Sequence, residues 1–221
     1  MLSILHLLPL ALALALSSVP IMAALFILLS PNRSSSAVPF LTGWVAGMLV
    51  VVTLCTLGAQ FVPASRLPRR PDEVVGQLEI AVGIALILVG IWSFWRARRR
   101  EVKTVPAWLR STETLGPFAS FGLAFILNFR PKAILLAVAA GLSLRADTDT
   151  IAEAAVAIAL YTIVGASTVA IPIIATQRDP DRMVPQLVTA REWIGRNGDA
   201  ITAVIIAVVG LVVIGMGLER L

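Results

Sequence analysis

Apolar and polar positions alternate along this chain in long blocks. Uninterrupted apolar runs occupy about 4–29, 38–62, 76–95, 116–140, 150–175 and 200–218. Each is long enough as a helix to cross a hydrocarbon layer of about 30 Å. Short polar or proline-bearing segments separate them: "SPNRSSSA", "PASRLPRRPDEV", "RARRREVKTVPAWLRSTET", "LRADTD" and "TQRDPDRMVPQLVTAREWIGRNGD". Lipid offers no hydrogen-bond partner to an open strand edge, so all six runs are predicted to be helices. Pro20, Pro131 and Pro172 fall inside the first, fourth and fifth runs. A proline in a helix interior removes a backbone donor and clashes with the preceding turn, so these helices are expected to be interrupted.

Composition agrees. Of 221 residues, 58% are hydrophobic and 14% charged, with a mean hydropathy of +0.90. The expectation is a single integral membrane domain over 1–221. The lone Cys55 excludes a disulfide framework or dithiol pair, and the lone His6 forms no metal cluster by itself. Neither a P-loop nor a Ser–His–Asp set is evident. No cofactor, metal or enzymatic activity is therefore expected. The N-terminal run has no basic segment ahead of it and exceeds an ordinary signal-peptide core. It is expected to be retained as the first helix.

Charge changes the picture by setting topology. The net charge is +5, but the cations lie mostly in short loops, so no nucleic-acid partner is expected. One set of loops carries Arg33, Arg96, Arg98, Arg99, Arg100, Lys103, Arg110, Arg178, Arg182, Arg191 and Arg196; the other carries Arg66, Arg69, Arg70, Arg145 and Arg220. The richer side is predicted to be cytoplasmic. Both termini then face outward, and the basic loop 96–115 faces in. Trp92, Trp95 and Trp108 flank that loop, where interfacial aromatics belong. Its "RARRREVK" run suits anionic lipid headgroups.

A shift of 111 residues superposes "LSSVPIMAALFILLS" (16–30) on "LNFRPKAILLAVAAG" (127–141). Ser17 falls on Asn128 and Pro20 on Pro131. The second run falls on the fifth. Three crossings per half is an odd number, so the halves would insert with opposite orientation. The predicted fold is all-α, with six transmembrane helices as two inverted three-helix repeats. Helices 1 and 4 are expected to break at Pro20 and Pro131, with repeats at about 1–95 and 116–221.

The chemistry concentrates in "LNFRPKAI", 127–134. Pro131 leaves carbonyls near Leu127 without helical partners, and Asn128 is placed to serve them. The half-helix from Pro131 onward presents a partly positive N-terminus. Arg130 and Lys132 add two formal charges beside it. A cation at mid-bilayer costs at least about 2.5–3.5 kcal/mol, so two need anions or water. Glu79 and Glu153 are the candidate internal partners or proton carriers. Ser17, Ser18 and Pro20 form the matching, uncharged break. Glu153, Ala157, Tyr161, Gly165, Thr168 and Pro172 recur at helical spacing in the fifth run. From that stripe Tyr161 and Thr168 join the predicted substrate-binding set, with Asn128, Arg130, Pro131, Lys132, Ser17, Ser18 and Pro20. The set suits an anionic group: carboxylate, sulfate or phosphate.

Two three-helix halves with a proline-lysine break in the fourth helix resemble the LysE superfamily of exporters. The usual signature there is Asn-Pro-Lys. Here Arg130 stands at the Asn position and Asn128 lies two residues earlier, which counts against an amino-acid substrate. "ALSSVPIMAALFILLSP", the basic central loop and "NFRPKA" most resemble the actinobacterial Gap group of peptidoglycolipid- or sulfolipid-addressing proteins. That resemblance covers nearly the whole chain and implies movement of a glycolipid towards the cell envelope. The expectation is a flippase-like exporter in a bacterial cytoplasmic membrane, moving an anionic lipid or glycolipid by alternating access. Two alternatives stay open: an exporter of a small metabolite such as an amino acid, and a non-transporting subunit of a larger lipid-export complex. Small-residue faces on the helices permit a homodimer.

Overall fold

The computed structural model describes residues 2–61, 73–98, 112, 115–148 and 150–221. They form eight helices: α1 (Leu2–Ala15), α2 (Ser18–Leu28), α3 (Arg33–Ala59), α4 (Glu73–Arg98), α5 (Pro117–Leu127), α6 (Pro131–Asp147), α7 (Ile151–Arg178) and α8 (Pro180–Glu219). No strand occurs among the described residues. Four segments are long and apolar enough to cross a membrane: α3, α4, α7 and the second half of α8. The pairs α1–α2 and α5–α6 meet the same test as bent units, with bends of 43° and 61°. The chain is a multi-pass membrane protein. Most of the basic 96–115 loop, Trp108 included, lies outside the described residues. Trp92 and Trp95 are exposed near the end of α4.

Small residues decide where the helices touch. Gly76 and Gly83 of α4 lie against Gly217 and Gly210 of α8. A Cβ on Gly83 would sit 2.7 Å from the Gly210 carbonyl oxygen, and one on Gly76 would sit 2.7 Å from that of Gly217. Gly90 faces the carbonyl of Ala203 one step further along. The contacts run in opposite order on the two helices at a seven-residue spacing, so α4 and α8 are antiparallel with backbones in contact. A second close seam joins α3 to α5. A Cβ on Gly43 would collide with the Phe121 carbonyl oxygen, and one on Gly47 would meet the Asn128 amide at 2.5 Å. Gly141 of α6 lies further along the same helix, against Cys55 and Thr56.

Three expectations are corrected. The first break lies at Leu16–Ser17 rather than Pro20. Ser17 is the extended N-cap (φ −71°, ψ 117°), and Pro20 is the third helical residue of α2. Its missing N–H falls where helix donors have no partner anyway. Pro172 does not interrupt the fifth run: α7 is continuous through it. Thr176 donates its hydroxyl to the Pro172 carbonyl at 2.6 Å, local polar satisfaction of the kind that lets prolines persist in membrane helices. The polar segment from Pro180 to Gly198 is helix rather than connection. Asp179 caps it by accepting from the Arg182 N–H at 3.2 Å, and Pro180 starts it. Leu187, on this first half of α8, is buried in the core.

Candidate functional site

Both broken spans expose backbone groups that a straight helix would satisfy internally, so their hydrogen-bond partners reveal how each break is held. At the first break, α1 ends at Ala15, whose carbonyl accepts the Thr168 hydroxyl of α7 at 2.5 Å. The Ser18 N–H donates to Thr202 Oγ1 of α8 at 3.3 Å. Ser17, Ser18 and Pro20 are all buried. This break is neutral and clamped from two other helices.

The second break is built differently. Asn128, 2% exposed, caps the end of α5, and its amide donates to Ala124 O at 3.1 Å and to Trp44 O of α3 at 3.3 Å. Ala124 O lies in the last turn before the break, where the sequence places the freed carbonyls; Trp44 O lies inside continuous α3 and is not freed by the break. Arg130 is the extended N-cap of α6 (φ −72°, ψ 148°) and Pro131 its first residue, the arrangement that the steric restriction ahead of proline favours. Arg130 and Lys132 are half-buried, and each engages a neighbouring group.

The two breaks approach one another around a cavity of about 10 Å³, room for roughly one water. Leu14 reaches it from α1, Met48 from α3, Asn128 and Ala133 from the second break, and Tyr161 from α7. Tyr161 is 2% exposed, and its hydroxyl has no hydrogen-bond partner among the described residues. A buried hydroxyl usually has one, so this group marks the cavity as a polar point in an apolar lining. Of the residues singled out in sequence, the structure brings Asn128 and Tyr161 together here. Arg130, Lys132, Ser17, Ser18, Pro20 and Thr168 do not line the cavity.

The two glutamates lie elsewhere. Glu79 is fully buried. Its Oε1 accepts from Ser143 Oγ of α6 at 3.1 Å, and its Oε2 forms an ion pair with Arg220 Nε at 3.0 Å. Arg220 also donates to Asp147 Oδ1 at 2.8 Å. This cluster ties α4, α6 and the end of α8 together. Ser143 lies 13 residues along α6 from Arg130, a rise of about 20 Å, so Glu79 is spent on Arg220 at the opposite end of that helix. Glu153 sits exposed in the first turn of α7, beyond the same end of α6. Sequence reasoning counted Arg220 as a loop charge. The available signal was a basic residue just past an apolar run, with Glu79 and Asp147 at matching ends of theirs.

A second cavity, of about 500 Å³, opens where α2 ends, α3 begins and α7 turns into α8. Its lining includes Arg33, Ser34, Thr176 and Gln177. None of these was singled out in sequence as a site residue.

Two bent crossings, one neutral and one bearing Arg130 and Lys132, meet around an internal polar point, and the whole defines a polytopic α-helical membrane protein. Among known families, the chain matches the one described as Sap, sulfolipid-1-addressing protein, over residues 7–219. It belongs to that family. No curated protein and no solved structure matches it.

Proposed function

We propose that this protein is a secondary transporter of flippase type. It moves an anionic lipid or glycolipid across the membrane by alternating access, as the wider likeness to LysE-type exporters suggested. The observation that carries the reading is the meeting of two broken spans at one small cavity that holds the Tyr161 hydroxyl and Asn128, with Arg130 and Lys132 at one of the breaks. Family membership supports involvement in sulfolipid addressing.

The packing supports six crossings in two inverted halves. Leu115, Phe121, Asn128 and Gly141 meet Ser36, Gly43, Gly47 and Cys55 in ascending order. A re-entrant pair would turn back, whereas α5–α6 keeps advancing along α3. The antiparallel α4–α8 seam agrees, since a re-entrant fourth segment would make those helices parallel. The seam is also symmetric about Gly83 and Gly210: exchanging Gly76, Gly83 and Gly90 with Ala203, Gly210 and Gly217 reproduces its contacts. That is what a two-fold axis in the membrane plane produces.

With the arginine-rich side inward, the Glu79–Arg220–Asp147 cluster closes the outer end and the 500 Å³ cavity opens at the inner end. The conformation is then inward-facing. In the cycle, the cationic end of α6 holds the anionic head while the two halves rock about the seam. The test is reconstitution into liposomes, with outward movement of an anionic glycolipid measured for wild type and for Arg130→Ala/Lys132→Ala. Loss of movement by a variant that still inserts is the expected result. Wild-type rates in the variant overturn the reading, and no movement by wild type turns it towards an accessory subunit.

A further inference from the structure

The large cavity at the α2–α3–α7 junction is not explained by the central site. It lies at the opposite end of α7 from Glu153, and its lining has a consistent chemistry. Arg33 is the first residue of α3, and its guanidinium has no partner among the described residues. Ser34 and Gln177 flank it with a hydroxyl and an amide that have no partner among the described residues. Thr176 has already given its proton to the Pro172 carbonyl, so towards the cavity it offers only acceptor lone pairs. Leu28 and Pro180 supply an apolar floor.

We propose that this cavity is a binding site for an anionic, hydroxylated head group: a sulfate or phosphate ester on a sugar or other polyol. Arg33 takes the ester oxygens through its planar fork, which suits a tetrahedral oxyanion better than a lysine point charge. Gln177 and Ser34 bond the neighbouring hydroxyls, Thr176 accepts from one, and Leu28 and Pro180 face the carbon skeleton. About 500 Å³ lies within the range of small-molecule sites and fits one sugar ring with its ester. The α3 N-terminus adds a weak favourable field. The site would select head groups before they reach the broken spans, and in that respect it rests on the transporter reading. Its binding chemistry stands without it.

The experiment is equilibrium binding to the purified full-length protein in neutral detergent. Probes are glucose 6-sulfate, a dialkyl glucose 6-sulfate carried in the micelle, and glucose as the uncharged control. Arg33→Ala should weaken binding of a sulfated probe about tenfold or more, as expected for loss of a charge-assisted contact. Gln177→Leu should weaken it less, and glucose should stay weak throughout. Binding of the soluble ester alone identifies a free-metabolite site; binding of the micellar probe alone identifies a lipid head-group site; both are forms of the proposal. Sulfate-dependent binding that ignores both Arg33→Ala and Gln177→Leu overturns it, as does equal affinity for glucose. If Arg130→Ala/Lys132→Ala leaves this binding intact yet stops transport, both readings stand. If that double variant transports normally while Arg33→Ala loses the probe, the central-site reading alone falls.

Discussion

The two breaks perform the same backbone manoeuvre with opposite chemistry. At Ser17 the chain turns through uncharged residues, and α7 and α8 supply the missing hydrogen bonds through Thr168 and Thr202. At Asn128–Arg130 the span supplies its own amide and then places two cations, Arg130 and Lys132, in the next four positions. Their surroundings differ too. Nearly all of α2 is buried, whereas α5 buries only Ser120, Ala124 and Leu127. Phe121 stacks on Phe125 along α5, and Phe125 meets Phe129, tilted, beside Arg130. The neutral break is a fixed core element held from outside. The charged one sits at the rim with its own cap, where a moving part with an anionic ligand would be placed.

The largest expected effect tests that division directly. Arg130→Ala/Lys132→Ala should reduce glycolipid movement at least about tenfold, since each loses a charge-assisted contact. Ser17→Ala/Ser18→Ala should keep most of it, because Ser18 bonds Thr202 through its backbone. Equal losses in the liposome assay would erase the distinction between the breaks. Next comes the tie at the far end of the charged span, which α2 lacks. Arg220→Met leaves the Glu79 carboxylate buried without its counter-charge and should cost about 3–5 kcal/mol. Unfolding in mixed micelles measures it, and a double Glu79→Gln/Arg220→Met variant should recover much of the loss. A smaller effect separates the caps. Asn128→Leu strands the Ala124 carbonyl, removes the tie to Trp44 O and should cost about 1–3 kcal/mol. Thr168→Val removes one bond to Ala15 and should cost about 1 kcal/mol. A larger loss at Thr168 than at Asn128 would make the neutral break the more dependent on its clamp.

Hydrophobic blocks made the crossings legible before any coordinates, because lipid permits few alternatives to a helix of that length. The charged break was legible for a similar reason: cations in mid-span are too costly to be incidental. The inward stripe of Ala157, Tyr161 and Gly165 was also visible as helical spacing, and all three are buried. Three features escaped. Helix α8 begins some twenty residues before its apolar run, because the 180–199 segment is amphipathic and carries six charges. Packing of Leu187 and the cap at Asp179 decide its helicity, and hydropathy registers neither. The partner of Glu79 lies 141 residues away at Arg220, a contact that only the antiparallel seam brings about. The site of the first break was misread because proline was taken as its cause.

The smallest effect concerns that cause. Pro20 and Pro131 occupy equivalent places in the repeat but different places in their helices. Val19, ahead of Pro20, is already helical, and the turn at Leu16–Ser17 precedes it. Arg130, ahead of Pro131, is extended, the region that the proline ring favours for the residue before it. Pro20→Ala should therefore leave the 43° bend in place and change stability by less than about 1 kcal/mol. Pro131→Ala frees Arg130 to become helical and should partly straighten the 61° bend. Distances between spin labels on α1 and α2, and on α5 and α6, read the two angles separately. Straightening at Pro20 with none at Pro131 would mean that the clamps at Ala15 and Ser18 follow the bend rather than hold it.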